Sequence, residues 1–326
     1  MKEKLTPDVV LKNYWDGDDE FTDFFNAVLF DGDCVIHSLN DTERDTAAAV
    51  VLENKEKTSS FENFRDNIKI QLLSADSGAK PALFCLESQS YINYSMPVKV
   101  MGYNYGTYDK QLRKNSERYT GTDSLKGNEY LSSMRKEDRF MPVVTIVLYY
   151  NKEAWDGPSN LKDILDIPSP LKGYVSDHPF LLIEARDCEL KLHNTNNIHF
   201  FRMLQIALNS KLSSREGKAK LKQYADEHRP SKKVLITLAG VLGTAIDYNK
   251  YEREDITMET IFDDMFMEWE AKGEARGEVK GAKGLIETCQ ELGCSDQYII
   301  EKLQTKLNLA RSKAVEFMEK YGKQPA

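Results

Sequence analysis

Glu87, Ser88 and Gln89 close the apolar run PALFCLESQS, and Asp66 opens an earlier run, RDNIKIQLL. Two carboxylates and an amide are oxygen donors of the hard kind that Mg²⁺ or Mn²⁺ prefers, and backbone carbonyls between Cys85 and Ser88 could add to them. A divalent ion held there lowers the pKa of a bound water and neutralises charge developing on a phosphate. That is the chemistry of phosphodiester hydrolysis, with Asp66 and Glu87 as metal ligands and Gln89 positioning water or ligand through its carbonyl and N–H groups.

Whether these side chains meet depends on the elements that carry them. The intervening SADSGAK holds Asp76, Ser77 and Gly78, strong turn formers, so the segment reads as a β-hairpin. A turn centred between Asp76 and Ser77 pairs Asp66 with Glu87. A centre one residue later pairs Asp66 with Gln89 and keeps Glu87 diagonal to Asp66 on the same face. Strand periodicity puts Leu83, Cys85, Glu87 and Gln89 on one face and Phe84, Leu86 and Ser88 on the other. Both faces are apolar up to Glu87, the pattern of an interior strand covered on both sides. Two carboxylates opposed across a sheet repel, so a positive charge is expected between them.

ALFCLESQSYINYSMPVKVMGYNYGTYDKQ, with RDNIKI before it, DRFMPVVTIVLYYNKEAWDGP after it and the N-terminal DEFTDFFNAVLFDGD, resembles the Rpn family of recombination-promoting nucleases and putative transposases, within the PD-(D/E)xK nuclease superfamily. The resemblance implies a restriction-endonuclease-like α/β core, a mixed β-sheet flanked by helices, and a Mg²⁺- or Mn²⁺-dependent DNA endonuclease. It assigns the superfamily's Asp to Asp66 and its Glu to Glu87. Gln89 takes the last motif position, which is often Lys, and so departs from the superfamily pattern. The first helix of such enzymes often presents an acid, here Asp23 or Glu20. Recombination, mobile-element biology or defence is the implied setting. The alternative is a DNA-binding or assembly protein that keeps the fold without turnover.

With 326 residues, 41% of them hydrophobic, the chain can bury a substantial core. The net charge of −8 means that binding DNA requires cations gathered on one face. Lys110, Arg113, Lys114, Arg135 and Lys136 flank the segment after the candidate site and are the expected DNA contacts, although Glu117, Glu137 and Asp138 are interspersed. Tyr91, Tyr94, Tyr103, Tyr105 and Tyr108 could stack on bases. Five cysteines without a CxxC pair, no signal-like N-terminus and no apolar run long enough to span a bilayer predict a cytoplasmic protein without a membrane partner.

DDEFTDFFNAVLFDG has helical spacing, with Phe21, Phe24 and Phe25 facing a core. NDTERDTAAAVVLENKEKTSS reads as a helix or an insertion. Pro97 starts a helix that crosses the sheet, MPVVTIVLYY is a buried strand, and HPFLLIEARD is a further strand. Residues 1–190 form the expected nuclease-like domain. Residues 191–270 form a helical extension packed on it, with His193 and His199 as core or surface residues. Gly273, Gly277, Gly281 and Gly284 punctuate a helix that opens a small helical module, 271–326, and the helical regions are a possible homodimer contact.

Overall fold

The computed structural model describes residues 7–38, 67–73, 80–121, 125–243 and 278–322. Asp66, the SADSGAK turn from Ser74 to Ala79, Gly273, Gly277 and the segment 40–60 therefore lie outside the described residues. The chain divides into two compact units, Met1–Met258 and Glu259–Ala326.

In the first unit, helices α1 (Pro7–Trp15) and α2 (Asp18–Phe30) precede strands β1 (Ile36–Ser38), β2 (Asn67–Leu73) and β3 (Lys80–Gln89). Helix α3 (Met96–Tyr119) then leads through the short α4 (Asn128–Ser132) to β4 (Val143–Tyr149) and β5 (Leu181–Glu184), and helices α5 (Thr195–Leu208), α6 (Ser214–His228) and α7 (Lys232–Val241) follow. The strands form one sheet in sequence order. β1, β2 and β3 are antiparallel neighbours, whereas β4 lies parallel to β3 and β5 parallel to β4. A parallel neighbour requires a long crossover, and α3 makes it. This mixed sheet with flanking helices is the α/β arrangement expected of a nuclease-like core.

Asn67 pairs with Leu86 and Leu73 with Lys80, the register of a turn centred between Asp76 and Ser77. Phe84, Leu86, Ile146 and Leu148 line one face of the sheet and are at most 1% exposed. Phe25 of α2 meets Phe84 edge-on at 5.2 Å between ring centroids. Behind α2, Trp15, Phe24, Phe200 and Phe201 interlock, the last of these stacked on Phe24 at 5.5 Å. Helices α1 and α7 approach closely because residue 240 is glycine: a Cβ there would lie 2.7 Å from Val10 Cγ2. On the opposite face, Met96 and Val100 of α3 pack with Val147 and Phe180.

Asn197 ties the helical layer to the first helices. Its Oδ1 accepts from Tyr14 Oη at 2.8 Å, and its Nδ2 donates to the Glu20 carbonyl and to Asp23 Oδ2, each at 2.8 Å. His193 and His199 are likewise structural, reaching the Gly32 carbonyl and the Tyr224 hydroxyl.

The second unit has its own core. Helical residues 278–291 (α8), α9 (Asp296–Leu307) and α10 (Arg311–Tyr321) bury Ala282, Ile286, Ile299, Leu303 and Phe317 together. Gly281 lies against Leu307, where a Cβ would sit 3.3 Å from Leu307 Cδ2; Gly284 faces open space.

Asn197→Ala removes two buried hydrogen bonds and a part-buried one to Asp23, and is expected to destabilise the first unit by about 3 kcal/mol in urea unfolding.

Candidate active site

Glu87 sits on the face of β3 that α3 covers, with its side chain only 4% exposed. Burying a carboxylate inside a sheet is costly unless a cation and hydrogen bonds compensate. The cation is Lys99, from the first turn of α3, whose Nζ donates to Glu87 Oε1. Gln89 Nε2 donates to the same oxygen at 2.8 Å and contacts the Ser88 carbonyl at 3.2 Å. Glu87, Gln89 and Lys99 thus form one buried cluster, closed on one side by the Tyr103 ring, 5.6 Å from Lys99 Nζ. Burial by itself would lower the Lys99 pKa, but the hydrogen bond and charge of Glu87, with Tyr103 adding to them, outweigh it and raise the pKa.

Gln89 pairs across the sheet with Tyr149. Gln89 Oε1 and the Tyr149 hydroxyl are buried and make no hydrogen bond. Such groups are rare in native proteins, and a bound ion or water is one of the things that explain them. Glu87 and the Gln89 carbonyl are hard oxygen donors and fit a cation such as Mg²⁺. Among the described residues no three His, Cys, Asp or Glu side chains gather in a metal-binding group, and the second expected carboxylate, Asp66, lies outside them.

The other expected site residues are placed apart from this cluster. Glu20 and Asp23 belong to α2, which covers the Phe84 face of the sheet rather than the Glu87 face. Glu20 pairs with Lys233 at 2.9 Å and accepts from Asn196 at 2.8 Å. Asp23 accepts from Asn197 and from the His193 backbone N–H at 2.7 Å. Both acids fasten α2 to the helices behind it, accepting from donors at or just before the starts of α5 and α7.

Lys110, Arg113 and Lys114 sit in the second half of α3, and Arg113 lies about 21 Å of helix beyond Lys99. Gln111 bonds the backbone of Met141, just before β4 begins, so this half of α3 adjoins the end of the sheet opposite Glu87. Arg113 pairs with Asp109 at 2.8 Å. Arg135 lies over the Tyr119 ring, and the backbone N–H of Lys136 donates to Glu129. The expected DNA-contacting cations therefore share a neighbourhood with each other but not with Glu87, because a 24-residue helix separates its two ends by most of the sheet's length. Of the tyrosines, Tyr103 is buried, whereas Tyr91, Tyr94, Tyr105 and Tyr108 are exposed, Tyr108 accepting from the Val143 N–H.

Sequence reasoning expected a positive charge between Glu87 and Asp66, which lies outside the described residues, and did not name Lys99. Its signal was a lysine one helical turn past Ser95 and Met96, on the turn of α3 that also carries the buried Met96 and Val100.

The cluster lies within a recognisable stretch of chain. Residues 70–224 match the family described as putative transposase, YhgA-like. The match takes in β3, α3 and β4, and with them Glu87, Gln89 and Lys99; it begins after Asp66 and after α2, and spans just under half of the 326 residues. This agrees with the resemblance to Rpn nucleases and putative transposases. Comparison with curated proteins and with solved structures gives no match. No helix among the described residues is long and apolar enough to cross a membrane.

Two outcomes follow from these ion pairs. Lys99→Met leaves the Glu87 carboxylate buried without its cation and should cost about 2 kcal/mol in urea unfolding, most of it recovered in the Glu87→Gln/Lys99→Met double variant. Burial by itself would raise the Glu20 pKa, but the hydrogen bonds and charge of Lys233 and Asn196 prevail and lower it from the ordinary 4.5. The stability this lends is present above pH 4.5 and lost as pH falls through the lowered pKa, so Glu20→Gln should flatten the acid limb of a stability-against-pH curve.

Proposed function

We propose that the protein is a metal-dependent DNA endonuclease that hydrolyses phosphodiester bonds, working in the mobile-element setting of its family. The observation that carries this reading is the buried Glu87 carboxylate on an interior strand, held by Lys99 and Gln89. A carboxylate so placed costs stability, and an unreactive protein of this fold has no need of it. Asp66, next in sequence to the first residue of β2, is the second metal ligand in this reading.

A bound Mg²⁺ or Mn²⁺ supplies an activated water and neutralises charge on the phosphate. The chain's own groups do the rest. Glu87 presents a carboxylate whose orientation Gln89 fixes by donating to Oε1, which leaves Gln89 Oε1 free to accept from water or face a cation. Lys99 contributes the positive charge that Gln89, standing where the superfamily often has lysine, cannot.

A non-catalytic DNA-binding or assembly role is the second reading, favoured by Gln89 spending both its amide contacts on Glu87 and Ser88 and by the distance of the exposed cations from the cluster. Supercoiled plasmid incubated with Mg²⁺, Mn²⁺ or EDTA separates the two. Nicking should require the metal, vanish in Asp66→Ala and in Glu87→Ala, and persist at a reduced level in Gln89→Ala. Full cleavage by Glu87→Ala, or none by the unaltered protein under any metal, refutes the nuclease.

A further inference from the structure

Lys99 occupies an uncomfortable place. It lies in the first turn of α3, where the helix dipole disfavours a cation, and its side chain is only 28% exposed. What holds it there is the Glu87 carboxylate, the same group that the nuclease reading assigns to the metal, and a divalent ion drawn to that carboxylate repels an ammonium held against its Oε1. The side chain is a four-carbon stem with a compact charge at its end, which can swing by rotamer change without moving the helix. The exposed fraction gives that swing a route to solvent.

We propose that Lys99 is the resident counter-ion of the Glu87 site, displaced when a divalent cation enters, so that metal binding releases an ammonium group at the mouth of the site. The inference rests on the nuclease reading for the identity of the entering ion. It adds a regulatory consequence: with the metal absent, the ion pair closes the site and keeps the buried carboxylate neutralised; with it present, the amine is delivered to a position from which it can meet an anionic phosphodiester. Lys99 thereby opposes metal binding while serving cleavage, two effects that a merely structural lysine does not combine.

The test uses the full chain. Mn²⁺ affinity, measured by calorimetry and by electron paramagnetic resonance, should be at least tenfold tighter in Lys99→Met than in the unaltered protein, while plasmid cleavage at saturating Mn²⁺ falls at least tenfold. Lys99→Arg should leave the affinity within about threefold of the original. Equal or weaker Mn²⁺ binding by folded Lys99→Met overturns the proposal. Should that variant not fold, the unaltered protein still decides: the Lys99 ammonium signal in nitrogen-15 spectra, protected by Glu87, should disappear on saturation with Mg²⁺, and its persistence in the metal-bound protein overturns the proposal. The two ideas fail separately. Metal binding with displacement of Lys99 but no cleavage removes the nuclease and keeps the displacement, cleavage with unchanged affinity in Lys99→Met does the reverse, and absence of any saturable metal binding removes both.

Discussion

Everything around the candidate site answers to one constraint: a carboxylate has been placed inside a covered sheet. Glu87 is too buried for water to solvate it, so the chain must bring a cation to it. That requirement fixes where α3 begins, since Lys99 has to reach β3 from the first helical turn after the strand ends. The same turn carries Met96 and Val100 into the apolar layer over Val147 and Phe180. Packing of the crossover helix and neutralisation of Glu87 are therefore one event, and displacing the helix start by a residue would disrupt both.

The electrostatics of the rest of the unit are divided by the sheet. Behind the Phe84 face, acids of α2 are consumed in fastening helices: Glu20 by Lys233 and Asn196, Asp23 by Asn197 and the His193 backbone. In front, Lys99 pairs with Glu87, and Arg113, Arg118 and Arg135 lie at or beyond the far end of α3. In a chain of net charge −8, the described residues gather no broad basic field around Glu87.

Much of the fold was legible because it rests on short-range periodicity. The pairing of Asn67 with Leu86 is the first of the two registers that the turn residues allowed, and the apolar alternation of β3 fixed which side chains share Glu87's face. Pro97 marked the start of α3, and the β-branched run from Val143 marked β4. The acids of α2 were less legible. Glu20 and Asp23 have the sequence texture of a helix presenting carboxylates to a site, and nothing in their spacing reveals that α5 and α7 arrive behind them with Asn197 and Lys233.

The sequence alone determined the succession of β2, β3, α3, β4 and β5, narrowed the hairpin to two registers and placed Glu87 and Gln89 on one strand face, since each follows from local dihedral preference and side-chain alternation. It also called for a positive charge between Glu87 and Asp66, the latter outside the described residues. Only the tertiary structure decided that Lys99 reaches Glu87, that Lys110, Arg113 and Lys114 lie toward the far end of the same helix, with Arg135 near Tyr119 beyond it, and that the α2 acids face the opposite layer. Those assignments depend on how a helix is docked against a sheet, a property of long-range packing that no local pattern encodes.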